Sequence, residues 1–293
     1  MRLHHLNCIS SCPLGGRLMD GRSEGLRGKL ACRCVLVETG SSLVLIDTGY
    51  GLRDVAAPLE RLSRFFLRLL DPEFREELTA IRQIEALGYS ARDVRHIVLT
   101  HLDFDHAGGL DDFPEAHVHM LRSEAADAAR QATWLDRQRY RPQQWSSVQR
   151  WISYEDEGEP WFGFDAVRDL RGLPPEILFV PLRGHTIGHA GVAVRENGGR
   201  WLLLAGDAYF DHDELDLDHP RCTPGLRFYQ WLMEKDRRAR IANQRHLREL
   251  LRDHGGEVRI VCSHDPREME EDTGRPLDVP PTAQKAWEPR VVT

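Results

Sequence analysis

The sequence is poor in cysteine, in long apolar runs and in excess positive charge, and each shortage excludes a class of protein. Six cysteines in 293 residues cannot staple a disulfide scaffold, and reduced thiols are expected of a cytoplasmic chain. No stretch approaches the roughly 18 consecutive apolar residues of a membrane span. The start, MRLHHLNCISSCPLGG, interrupts its few apolar residues with His, Asn, Ser and Cys, so no signal-peptide core is expected there. Acidic residues outnumber basic ones, 46 to 39, giving a net charge of -7; binding to nucleic acid or to an anionic membrane is not expected. Repeats and low-complexity linkers are also absent, so one domain over residues 1–293 is the expectation.

What is present is a pattern of short apolar strands and amphipathic helices. ACRCVLVE (31–38) and SLVLIDTG (42–49) read as a hairpin about the turn TGS. Helical spacing predicts helices over 54–70 and 73–87, the second ended by Gly88. Ser90 to Asp93 has the form of a capping box ahead of the strand VRHIVLT. Strands are expected at 117–120, 177–181, 190–195, 200–205 and 258–262, with helices at 122–130 and 235–254. Strands alternating with helices, some joined by tight turns, indicate an α/β fold with mixed sheets. Residues 134–164 mix Trp and Tyr with Arg, Gln and Glu without a clean period; they read either as a lid or substrate wall, or as an insertion packed on the core.

The chemistry concentrates after the strand 94–100. His101, Asp103, Asp105 and His106 fall within six residues in THLDFDHAGG. Imidazole and carboxylate donors suit zinc, iron or manganese, and burying four such groups without an ion would be costly. Three later apolar strands also end in polar residues: His185 and His189 in GHTIGH, Asp207 in LLLAGD, and His264 in VCSHD. Strand ends converging from distant parts of the chain are how α/β proteins assemble a site.

In these motifs and their order, from LIDTG (45–49) to SHD (263–265), the chain resembles the metallo-β-lactamase-fold hydrolases, nearest to the acyl-homoserine lactonase branch. The resemblance implies a four-layer αββα sandwich with two mixed sheets and two divalent metal ions, zinc first. His101, Asp103 and His185 would hold one ion, Asp105, His106 and His264 the other, and Asp207 would bridge them. One position departs from the family: Asp103 stands where histidine is usual, and this harder oxygen donor brings iron or manganese into consideration. A hydroxide shared between two ions would attack the substrate. Asp105 would pass a proton to the leaving group, and Asp47 would support the site from behind its ligands.

The expected reaction is opening of a lactone or cleavage of a related carboxylic ester, an acyl-homoserine lactone among them. A glyoxalase II-like thioesterase, a phosphodiesterase and a diiron redox protein are the alternatives. Tyr209, two residues beyond Asp207, resembles the tyrosine that contacts the lactone carbonyl in those lactonases, though its spacing differs; it reads either as catalytic or as a packed core residue. The expected partner is a small-molecule substrate, with a homodimer as a further option. His189 reads as a supporting residue, and Cys8, Cys12, Cys32 and Cys34 as structural thiols.

Overall fold

The computed structural model describes residues 1–40 and 42–281; Ser41 of the expected TGS turn lies outside the described residues. Two six-stranded sheets run in chain order. The first holds β1 (Arg2–Asn7), β2 (Arg33–Glu38), β3 (Leu43–Ile46), β4 (Val94–Val98), β5 (His117–Leu121) and β6 (Trp151–Tyr154). The second holds β7 (Glu159–Trp161), β8 (Phe164–Asp169), β9 (Ile177–Pro181), β10 (Ala190–Arg195), β11 (Trp201–Leu204) and β12 (Val258–Val261). Both sheets are mixed: β1, β2 and β3 pair antiparallel and β3 to β6 parallel, while β11 and β12 are the parallel pair of the second sheet.

The period of two along each strand builds the layers. Val35 and Val37 turn inward to meet Phe179, Val192 and Val194 of the second sheet. Cys34 and Leu36, their neighbours in sequence, turn outward to Ile84 and Leu87, and on the far side Leu203 and Ile260 pack on Leu247 and Leu250 of the long helix Arg237–His254. The result is the expected αββα sandwich.

The expected helix over 54–70 is three pieces, Leu52–Ala56, Pro58–Arg61 and Arg64–Leu70. Pro58 has no amide hydrogen to continue a helix and opens the second piece instead. Ser63 is extended and caps the third by accepting from the Phe66 amide. The stretch 73–87 likewise divides, into a 3₁₀ turn at Glu76–Leu78 and a helix at Ala80–Ala86, and Gly88 follows with φ +93°. The capping box at Ser90 and Asp93 is formed.

Residues 134–164 enter both sheets. They begin with the helix Trp134–Arg139, capped by Thr133, then supply β6 at the edge of one sheet and β7 at the edge of the other. Arg139, Tyr140 and Gln144 are fully buried. Among the described residues, no helix is long and apolar enough to cross a membrane.

Candidate metal centre

Four loops meet at one end of the sandwich, following β4, β9, β11 and β12. They bring together His101, Asp103, Asp105, His106, His185, Asp207 and His264, all buried. Donor atoms lie within 4.8 Å of one another in three overlapping sets: His101, Asp103 and His185; His101, His106 and Asp207; and Asp105, His106 and His264.

Partners behind the rings decide which nitrogen faces the centre. Asp47, held at φ +53° in the loop after β3, accepts from the Thr100 amide at 2.8 Å, from the Thr100 hydroxyl at 2.8 Å and from Nδ1 of His106 at 2.9 Å. Nδ1 of His101 lies 2.9 Å from the same Thr100 hydroxyl, whose proton is already given to Asp47, so the imidazole is the donor. Nδ1 of His264 donates to the Ala31 carbonyl at 2.7 Å. The Nε2 lone pairs of these three rings are thereby turned inward.

His189 stands behind Asp207 rather than among the ligands. Its Nδ1 donates to the Leu182 carbonyl and its Nε2 accepts from the Asp207 amide, both at 2.9 Å. Burial, helped by His185, lowers its pKa to about 3, which keeps the ring neutral as this bonding requires.

Charge inside the cluster is balanced by contact. Burial opposes ionisation of Asp207, but His264, His106 and His185 outweigh it and hold the carboxyl well below the usual range. For Asp103 the same contest is won chiefly by Arg139. Asp105 moves the other way: burial, with Asp207 and Asp103 nearby, raises it against the pull of His106 and His264.

Three residues that the sequence reading passed over build the surroundings. Arg139 forks onto Asp103, with Nε to Oδ1 at 2.7 Å and Nη2 to Oδ2 at 2.5 Å. Glu124 joins two ligand loops: Oε1 accepts from the Leu102 amide at 2.9 Å, and Oε2 from the Thr186 hydroxyl at 2.6 Å and the Gly188 amide at 3.1 Å. Tyr229, from the helix Pro224–Met233, packs its ring edge-on against Phe210 at 5.7 Å between centres, and burial, with the negative charge of Asp105, Asp103 and Asp207, drives its phenol well above the usual value.

Tyr209 is not brought to the cluster. Its ring packs with Leu215, Leu247 and Ile260, and its hydroxyl donates to Glu268 at 2.8 Å. The next residue, Phe210, faces the opposite way and stacks on His264 at 5.0 Å between ring centres. The backbone at this point sends Tyr209 into the core and its neighbour Phe210 to the site, which removes Tyr209 as the group that contacts substrate.

The donor set fits a divalent cation. Nε2 of His101, Nε2 of His106 and Oδ1 of Asp207 are buried with no hydrogen-bond partner among the described residues. Buried polar atoms are seldom left unpaired, each at a cost of about 1–3 kcal/mol, and three such atoms converging on one point are what an ion would satisfy.

A family model described as the metallo-beta-lactamase superfamily matches residues 27–264. The chain belongs to that superfamily. A protein of Mycobacterium tuberculosis named probable metallo-hydrolase is 41% identical over 266 residues, covering 91% of this chain and 81% of that protein. An N-acyl homoserine lactonase of Bacillus thuringiensis is 26% identical over 190 residues, 64% of this chain and 67% of the lactonase. A solved N-acyl homoserine lactone hydrolase with N-hexanoyl-L-homoserine at its catalytic metal center superposes with a TM-score of 0.68 at 20% identity, over 92% of this chain and 95% of that one; this likeness shows the fold. The chain is thus a metal-dependent hydrolase of the metallo-beta-lactamase superfamily.

Proposed function

We propose that this metallohydrolase opens a lactone ring or cleaves a related carboxylic ester, and that its substrate carries an apolar tail, as an acyl-homoserine lactone does. The observation that carries the reading is the meeting of two unlike surfaces at Tyr229. On one side its ring packs edge-on against Phe210, which in turn stacks on His264 of the cluster. On the other is an apolar cavity of about 400 Å³, lined among others by Leu14, Met19, Leu69, Leu70 and Leu232. A pocket mostly apolar, with a few convergent polar groups at one end, suits a molecule with a hydrocarbon tail and a polar reacting head.

Zinc is the first candidate for the ion, with iron or manganese brought in by the carboxylate donors of the cluster. Bound at the cluster, a divalent ion would lower the pKa of a water from 15.7 towards about 7 and polarise the substrate oxygen. The chain's own groups do the rest. The Tyr229 hydroxyl donates to the carbonyl oxygen as it gains charge. Asp105 takes the proton released when water adds to the carbonyl carbon and gives it to the ring oxygen as the carbon–oxygen bond breaks. The product is the open hydroxy acid, whose ionisation releases one proton per turnover.

That proton is the readout. Metal-loaded protein is offered acyl-homoserine lactones of increasing chain length and simple γ- and δ-lactones at neutral pH, with Asp207→Ala as control. Turnover that disappears in the variant supports the reading. No turnover, with metal shown to be bound, discards lactones and moves the search to thioesters and phosphodiesters.

A further inference from the structure

Arg139 is wholly buried, and its guanidinium is fixed from two directions. Nε and Nη2 fork onto the two oxygens of Asp103, and Nη1 donates to the Met233 carbonyl at 2.7 Å. Nη2 also lies 3.0 Å from Nε2 of His185, an atom that is itself 2.9 Å from Oδ2 of Asp103. Whichever tautomer His185 takes, that nitrogen is engaged, as an acceptor from Arg139 or as a donor to Asp103. Two of the three donors in the set His101, Asp103 and His185 are therefore already served by a group of the protein.

We propose that Arg139 closes this first subsite as a built-in cation, so that the protein binds one divalent ion, on the side formed by Asp105, His106, Asp207 and His264. The inference rests on reading the cluster as a metal centre, and it departs from the pair of ions that the resemblance implied. A guanidinium stays protonated at any pH the fold survives, so this positive charge cannot step aside by losing a proton. An ion on the same donors would stand against it in a site where water does not screen the repulsion.

The other side is arranged differently. Nε2 of His106 and Oδ1 of Asp207 lie 3.3 Å apart, and neither has a hydrogen-bond partner among the described residues. Nε2 of His264 is hydrogen-bonded to Oδ2 of Asp207 at 3.1 Å and lies 3.7 Å from Oδ2 of Asp105; this bond joins two ligand candidates, whereas on the first side Asp103 is tied to a fixed cation. His101, whose Nε2 is also unpartnered, falls in a set with His106 and Asp207 as well, so it remains available to an ion held on this side.

The aspartate and the arginine explain each other. A neutral imidazole at position 103 would leave a buried guanidinium without a counter-charge, and breaking a buried pair in that way is strongly destabilising. With Asp103 in place the charge is met by two parallel hydrogen bonds, the geometry in which Arg and carboxylate recognise one another best. In this chain Asp103, where the family motif has histidine, and Arg139, from the segment 134–164, form one buried ion pair.

The test counts ions and needs no substrate, so it stands or falls apart from the lactone assignment. Metal-free protein is titrated with manganese(II) sulfate and, separately, zinc(II) sulfate. Bound metal per chain is measured by mass spectrometry, and the manganese form is examined by electron paramagnetic resonance. The wild type is expected to saturate at one ion per chain, with the hyperfine pattern of an isolated manganese. The double variant Asp103→His with Arg139→Gln, its fold checked by circular dichroism, is expected to take up a second ion and show the broadened spectrum of a coupled pair. Two ions in the wild type, or none, overturns the proposal. So does a folded double variant that stays at one ion. The wild-type count decides alone where the variant does not fold.

Discussion

Oδ2 of Asp47 accepts the Nδ1 proton of His106 at 2.9 Å, and this contact fixes both the tautomer and the aim of a ligand ring. The same carboxylate holds the amide and the hydroxyl of Thr100, so one side chain sets the loop and the imidazole together. Removing such a partner usually weakens metal binding about 10- to 100-fold. Asp47→Asn, which tolerates the positive φ of this position, is expected to lose affinity in that range in competition with a chelating dye while its circular dichroism stays unchanged. Unaltered affinity would mean that the contact shapes the loop only.

The two tyrosines separate in a paired experiment. Tyr209→Phe removes a hydrogen bond to Glu268 in the core; urea denaturation should show a loss of about 1 kcal/mol, with kcat unchanged. Tyr229→Phe removes the hydroxyl proposed to meet the substrate carbonyl, and kcat should fall roughly 100-fold with little loss of stability. The reverse pattern would return the substrate contact to Tyr209.

The motif THLDFDHAGG, the three later strand ends and LIDTG were legible because their ligand types stand at the ends of apolar runs, and local sequence carries that signal. Arg139, Glu124 and Tyr229 were not, since each reaches the site from an element whose own pattern says nothing about where it docks. Glu124 sits on a helix predicted over its full observed range, yet only the fold shows that its carboxylate ties Leu102 to Thr186 and Gly188. Three helices went unread although their openings are local signals: Thr133 and Asp136 form a capping box before Trp134–Arg139, and Thr223 before Pro224 and Asp265 before Pro266 each pair a capping side chain with proline at the first turn. The break in the helix expected over 54–70 had a similar marker in Pro58.

Stability should depend on pH through Glu268. Burial, with Asp265 nearby, raises its carboxyl from 4.5 to about 7. A folded-state value above the unfolded one means that its contribution is complete below about pH 4.5 and is lost as pH rises through 7. The full difference is about 3 kcal/mol. Urea midpoints measured at pH 5 and pH 8 should fall with pH in the wild type and fall less in Glu268→Gln. Equal slopes in the two proteins would contradict the assignment.

The apolar cavity makes a prediction about chain length. Leu232 lines it beside Tyr229, and Leu232→Trp should fill much of the space without touching the ligands. Turnover of long-chain acyl lactones is expected to fall at least tenfold relative to short-chain ones, seen as a rise in KM. An unchanged chain-length profile would place the tail elsewhere.

The most direct test of the account joins metal and chemistry in one assay. Wild-type protein is stripped by a chelator, and proton release from a lactone it turns over is followed before stripping, after it, and after addition of a single metal salt. The account predicts activity lost on stripping and restored by the metal, with Asp207→Ala inactive throughout. Activity that survives complete metal removal would contradict it.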